Sequence, residues 1–258
     1  MRKSPVLGYD ITLMPVIPVE TLKRGASKLG IELGSSQLDQ FDAFASMLLE
    51  ANKRFNLTRI TDPLDIVTKH FLDSLMCLSV VEQKPGSAVV DIGTGAGFPG
   101  IPIKIARPDV TLTLVDSTMK KIRFAAAVAK ELGLDNVFVV HARAEELAHN
   151  TEYREQFDAA YARALAEMRI LAELCLPFVR VGGTLVATKG PAGEAEIAEA
   201  EEVIHQLGAT IEKTVSACIP ETEIRRTLVV ARKQTPTPKR YPRPYSQIAA
   251  SRTRSQRD

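Results

Sequence analysis

The 258-residue chain has no tryptophan, three cysteines and 5% aromatic residues, and each shortage narrows its chemistry. Cys77, Cys175 and Cys218 are odd in number, far apart and free of any C-x-x-C pair. That excludes a disulfide framework and a cysteine zinc site, and leaves buried free thiols as the expectation. No apolar run approaches the roughly 20 residues needed to cross a bilayer, and Met1-Arg2-Lys3-Ser4-Pro5-Val6 lacks the apolar block of a secretory signal. A cytoplasmic protein with no membrane partner is expected. His141, His149 and His205 show no metal-ligand spacing, so no metal is expected. His70, Asp73 and Ser74 offer the residue types of a hydrolytic triad, but they fall within one helical turn, ahead of any strand and without a nucleophile elbow. A capping or packing role is expected for them.

Net charge is scarce too, +2 in total, but it is unevenly spread: residues 232–258 carry +7 and the rest of the chain −5. The basic segment also holds Pro236, Pro238, Pro242 and Pro244, with Tyr241 and Tyr245 among them. That composition predicts an extended, poorly packed tail over 234–258. Basic residues interleaved with aromatics suit RNA, since cations neutralise phosphates and rings stack on unpaired bases. A solvated, solubilising tail fits the same composition.

Three further regions separate along the chain. Residues 1–18 are punctuated by proline and unpatterned, which reads as a flexible extension. From 19 to 84 the pattern is helical: Leu38, Phe41, Phe44, Ala45, Leu48 and Leu49 recur at spacings of three and four, with Ser35 or Ser36 as N-cap. This predicts an N-terminal helical cap. From 85 to 233, short apolar strands alternate with amphipathic helices, at Ala88 to Ile92, Thr111 to Val115, Val137 to Val140, Asp158 to Tyr161 and Thr184 to Ala187. Alternation of this kind predicts an α/β domain with a doubly wound sheet. Thr210 to Cys218 and Arg226 to Ala231 then follow one another with no helix between them, which predicts an antiparallel hairpin at the sheet edge. No internal repeat is visible.

The densest signal is Val89-Val90-Asp91-Ile92-Gly93-Thr94-Gly95-Ala96-Gly97-Phe98-Pro99-Gly100, an apolar strand that ends on an acid and enters a glycine loop. Glycines let a backbone turn sharply and approach a ligand closely, so Gly93, Gly95 and Gly97 are candidate cofactor contacts. Two cofactors fit. Gly95 to Gly100 satisfies the dinucleotide pattern G-x-G-x-x-G, and Asp91 to Gly97 satisfies the D-x-G-x-G-x-G of S-adenosylmethionine (SAM) methyltransferases. Asp91 favours the second, because a carboxylate repels a pyrophosphate and attracts the ammonium of a methionine moiety. The closing hairpin also favours it. Asp116 ends the second strand about twenty residues past the glycines, where an acid can accept bonds from ribose hydroxyls of either cofactor. Arg143-Ala144-Glu145-Glu146 follows the third strand and can frame an adenine edge; helix-dipole pairing explains its acids equally well.

Asp91 to Pro102, with Asn56-Leu57-Thr58 and His70-Phe71-Leu72-Asp73-Ser74-Leu75 upstream, resembles the bacterial RsmG (GidB) methyltransferases. Leu114-Val115-Asp116-Ser117 with Lys120-Lys121, Arg143 to Glu146, Ala162-Arg163-Ala164 and Lys189-Gly190 extend the resemblance over roughly residues 40 to 233. It implies a Rossmann-like seven-stranded sheet with helices on both faces, SAM as cofactor, and methyl transfer to N7 of a guanine in the decoding-region loop of 16S rRNA. The small ribosomal subunit is then the partner, with no DNA substrate, and a monomer is expected. N7 carries a lone pair and no proton, so no general base is required. In agreement, the fourth strand ends Ala160-Tyr161-Ala162-Arg163-Ala164 and not in the Asn/Asp-Pro-Pro-Tyr/Phe motif that grips an exocyclic amine.

The resemblance also implies residue roles. Gly93 and Phe98 line the methionine and ribose side of SAM, Ala144 and Glu145 meet the adenosine, and Arg163 stands at the pocket mouth. An arginine ending a buried strand needs a partner: the guanine edge or an RNA phosphate, or a salt bridge to Glu145 or Asp91. Lys189 suits the RNA backbone or plain solvent, and Lys239, Arg240 and Arg243 are the tail's candidate RNA contacts. An NAD-dependent oxidoreductase and a non-catalytic ribosome-binding factor remain the alternatives.

Overall fold

The computed structural model describes residues 14–163, 165–190 and 193–250. Expectations for residues 1–13 and 251–258, Arg252, Arg254 and Arg257 among them, lie outside the described residues.

Five parallel strands run inward from one edge of a single sheet: β1 (Ala88–Ile92), β2 (Thr111–Asp116), β3 (Val137–His141), β4 (Phe157–Arg163) and β5 (Val179–Lys189). Antiparallel β6 (Ala209–Cys218) and β7 (Arg225–Lys233) complete the order β3-β2-β1-β4-β5-β7-β6. The closing hairpin expected from the missing helix is therefore present. Val89, Val90 and Ile92 are all buried, as continuous apolar strands must be when helices cover both sheet faces. The chain runs outward from β1 to β3 and then crosses back to β4, so the order reverses between β1 and β4. Beyond the carboxyl ends of those two strands lies the crevice where such sheets bind ligands. Asp91 pairs with Tyr161 in the ladder, which places Arg163 at the same rim.

The intervening helices are α5 (Gly100–Ala106), α6 (Met119–Glu131), α7 (Ala144–Leu147), α8 (Met168–Cys175) and α9 (Gly193–Gln206). Ahead of the sheet, α1 (Val19–Lys28), α2 (Ser35–Phe55), α3 (Pro63–Asp65), a π-helical turn (Ile66–Leu72) and α4 (Asp73–Val80) form the helical cap. Helix α2 buries Phe41, Phe44, Ala45 and Leu48 on one stripe. Its N-cap is Gly34, not Ser35 or Ser36; the Gln37 side chain reaches back to accept the Gly34 N–H at 2.9 Å. Packing begins before Val19, because Ile17 is buried and donates its N–H to Asp42 Oδ1 at 2.9 Å. No helix among the described residues is long and apolar enough to cross a membrane.

Two expectations are corrected. Cys218 is exposed, since it ends a strand at the sheet edge; only Cys77 and Cys175 are buried. Over its described part, the tail is packed and not loose. The Arg154 guanidinium donates to the carbonyls of Ala148, Tyr241 and Thr237 at 2.8 to 3.1 Å, and Arg243 pairs with buried Glu173 at 2.6 Å. Thr237 and Tyr241 are buried, and α10 (Tyr245–Ala250) buries Ile248 in the same apolar cluster as Met168 and Leu171 of α8. Composition missed this because the partners that fix this strap, the backbone carbonyls met by Arg154 and the distant Glu173 carboxylate, leave no mark in its own sequence.

Candidate active site

The loop after β1 is organised by two carboxylates. Asp91 Oδ2 accepts the Thr94 hydroxyl at 2.6 Å and the Gly100 N–H at 2.8 Å. Asp116 Oδ2 accepts the Gly95 N–H at 2.9 Å, and its Oδ1 accepts the Thr118 N–H at 2.7 Å. Gly93 and Thr94 donate to Val115 O, and Gly97 and Phe98 to Thr94 O. The amides of Gly93, Thr94, Gly95, Gly97, Phe98 and Gly100 are thus all satisfied within the protein. A loop in this state is no phosphate cradle, which would need those N–H groups free. At Gly100 an added Cβ would lie 2.5 Å from Leu114 and 2.9 Å from Asp91 Oδ2, so the close approach of α5 to β1 requires glycine there. Gly95, at φ +60, has open space where a Cβ would stand.

Burial pushes the Asp91 carboxyl up to about 7, against the opposing effects of the Thr94 and Gly100 bonds and the Arg163 charge. Its Oδ1 is buried without a hydrogen-bond partner. An orphaned carboxylate oxygen beneath a glycine loop suits a cationic ligand group and opposes an anionic one. The residues present therefore fit the ammonium-bearing end of SAM, with Asp116 at the next strand end for hydroxyls.

The cap grips this loop through rings. Phe98 lies between His70, stacked at 4.4 Å, and Phe44, stacked at 5.0 Å, and Arg163 stands 5.2 Å from the Phe98 centroid. Each such pair contributes about 0.5 to 1.5 kcal/mol beyond burial. Arg163 Nη1 donates toward Lys69 O and His70 O at 3.2 Å and toward Asp73 Oδ2 at 3.1 Å. The π-helical turn supplies those two carbonyls, in keeping with the use of π-turns at functional sites. Asp73 also receives Arg226 of β7, Nε to Oδ1 at 2.9 Å. The partner of Arg163 is therefore Asp73, not Glu145 or Asp91; the cap, closing over the strand ends, brings that acid nearer than either.

Arg163 Nη2 faces His70 Nδ1 at 3.4 Å, and His70 Nε2 lies 3.0 Å from Thr58 Oγ1. Burial, then the Arg163 charge, lowers the His70 pKa to about 3. A neutral ring accepting at Nδ1 carries its proton on Nε2 and donates it to Thr58. Ring and arginine thus fix one another's orientation, and the imidazole is too weakly basic to draw a proton from a substrate.

Asp91, Gly93, Gly95, Gly97, Phe98, Asp116, Ala144, Glu145, Arg163 and Lys189 all sit at or just beyond the carboxyl ends of parallel strands. Glu145 faces Arg143 at 3.7 Å. Lys189 is neither solvated nor free for RNA as it stands, because its ammonium donates to Ala166 O and pairs with Glu196, both at 2.6 Å. Lys239, Arg240 and Arg243 lie apart on the strap; Lys239 and Arg240 are exposed, while Arg243 is held by Glu173. Sequence reasoning missed Thr58, Phe44, Asp73 and Arg226 as site residues. The His70 to Asp73 spacing was the available signal, although it fits a packing helix equally well.

A family model described as rRNA small subunit methyltransferase G (GidB) matches residues 37–227. The ribosomal RNA small subunit methyltransferase G of Pelotomaculum thermopropionicum is 45% identical over 224 residues, 87% of this chain and 94% of that protein. Its namesake in Leuconostoc citreum is 45% identical over 227 residues, covering 87% and 95%. Among solved structures, a chain from the complex of the Haloferax volcanii Trm112 methyltransferase activator with a methyltransferase aligns at TM-score 0.54 and 13% identity. It covers 76% of this chain and 98% of that one, a likeness of fold alone.

Proposed function

The chain belongs to the rRNA small subunit methyltransferase G family, and from that premise we propose that it methylates N7 of a guanine in the decoding-region loop of 16S rRNA. SAM, when bound, supplies an electrophilic methyl group on a sulfonium. The observation that carries the donor half is the glycine loop, whose amides are internally paired above the orphaned Asp91 oxygen, an arrangement that disfavours a pyrophosphate and with it the NAD-dependent reading. The acceptor half rests on what the relatives are named for, ribosomal RNA of the small subunit.

Within this reading the chain's residues bind and align. Asp91 receives the ammonium, Asp116 the ribose hydroxyls, and Gly93 and Phe98 form the floor between them. Ala144 and Glu145 bound the adenosine side. Arg163, 11% exposed and anchored by Asp73, presents its remaining N–H groups at the mouth, where O6 of a guanine offers an acceptor. The neutral His70 supports an acceptor that needs no base, since N7 has no proton to remove. Holding nucleophile and methyl in line can supply up to roughly 7 to 11 kcal/mol of barrier reduction. The target base must leave its stack to arrive there.

Methyl transfer from labelled SAM to small subunits purified from a strain lacking the gene tests the reading. Label in 16S rRNA, greatly reduced in Arg163→Ala, is the expected result. Wild-type protein that binds S-adenosylhomocysteine yet labels no RNA would instead favour a non-catalytic ribosome-binding factor. Stabilisation by NAD but not by S-adenosylhomocysteine would overturn the donor assignment.

A further inference from the structure

We infer that Phe55, the last residue of α2, is a stacking surface for an unpaired RNA base beside the target nucleotide, an inference that rests on the rRNA methyltransferase reading. Phe55 is 49% exposed in a chain poor in aromatics, while Phe41 and Phe44 of the same helix are fully buried. Exposure alone means little, because single apolar side chains are common on surfaces. What distinguishes Phe55 is how it is held and what surrounds it. Lys120, at the start of α6, donates to the Phe55 carbonyl at 3.2 Å, and Asn56 closes the helix in the left-handed conformation at φ 48. The backbone that carries the ring is therefore fixed in place.

The position is continuous with the active site. Asn52 Oδ1 accepts the Thr58 N–H at 2.9 Å, and the Thr58 hydroxyl meets His70, the ring stacked on Phe98. The end of the helix is cationic: Lys53 and Arg54, both exposed, share the single carboxylate of Glu50, which leaves positive charge in surplus over its last turn. Exposed Met119 precedes Lys120 at the start of α6. An exposed aromatic at the end of a helix whose last turn carries surplus lysine and arginine, with Lys120 on its carbonyl, matches the pairing of base stacking with phosphate neutralisation that single-stranded RNA requires. A protein partner would call for a broader apolar patch with fewer cations.

The chain has no tryptophan, so Phe55→Trp creates a lone indole, excited apart from the tyrosines, at the inferred surface. Phe55→Ala is expected to raise KM for small subunits about tenfold, the effect of one lost base stack, with stabilisation by S-adenosylhomocysteine retained. Phe55→Trp restores KM, and a single-stranded RNA oligonucleotide quenches its fluorescence. An unchanged KM in Phe55→Ala, or an unquenched indole at saturating RNA, overturns the inference. Loss of the S-adenosylhomocysteine response in Phe55→Ala also overturns it, since the ring would then serve the cofactor. The parent reading fails separately, if wild-type protein labels no small-subunit RNA, and the quenching measurement still stands in that case.

Discussion

Arg163 at the end of β4 and Arg226 near the start of β7 share one carboxylate, Asp73, at 3.1 and 2.9 Å. Asp73 is buried and stands at the head of α4, so this three-residue bridge fastens the helical cap to two strands of the sheet. The cap is thereby an integral wall of the candidate active site.

Removing that carboxylate leaves two partly buried guanidiniums uncompensated. Asp73→Ala is expected to cost about 3 to 5 kcal/mol, which corresponds to a fall in Tm of roughly 10 °C for a chain of this size. Calorimetry of the variant alone and with S-adenosylhomocysteine measures both stability and site assembly.

His70 gives the protein an acid sensitivity. Its folded-state pKa of about 3 lies below the ordinary 6.5, so the unfolded chain binds the extra proton first. The folded state therefore loses stability as pH falls from about 6.5 toward 3. Tm measured against pH should decline more gently below 6.5 in His70→Gln than in the wild type.

Asp91 has the opposite sign. With its folded-state pKa raised from 3.8 to about 7, the unliganded protein loses stability as pH rises through that window. A ligand ammonium needs the ionised form, so S-adenosylhomocysteine affinity should fall about tenfold from pH 8 to pH 6. Titration calorimetry on the wild type and Asp91→Asn measures this; the variant should bind more weakly and lose the dependence.

The docked strap predicts a structural defect on truncation. A chain ending at Gln234 loses the partners of Arg154 and Glu173, and is expected to melt several degrees lower. Because that defect would obscure RNA binding, the tail's contacts are read on the exposed pair Lys239→Ala and Arg240→Ala. Each lost phosphate contact should flatten the log–log salt dependence of RNA binding by about 0.7.

Much of this was legible before any coordinates. The short apolar run from Val89 to Ile92 and the spacing of Phe41, Phe44 and Leu48 dictated strand and helix, and the unbroken pair of strands after residue 209 announced the hairpin. The glycine loop marked the crevice because close backbone approach has few other solutions. Less visible was anything fixed by contacts distant in sequence. Asp73 meets Arg226 across 153 positions, and Arg154 meets Tyr241 across 87. The π-helical turn at Ile66–Leu72 reads as ordinary helix, because Ile66, Val67, Thr68, His70, Phe71 and Leu72 are all buried and no one-sided pattern is left to show the changed register.

The most direct measurement is the position of the transferred methyl. Small subunits from a strain lacking the gene are treated with the protein and SAM, and their 16S rRNA is cleaved by borohydride and aniline, which break the strand at N7-methylated guanine. The expected result is one new break in the decoding-region loop. Methyl label in the rRNA without such a break, or on an exocyclic amine, would contradict the proposed chemistry.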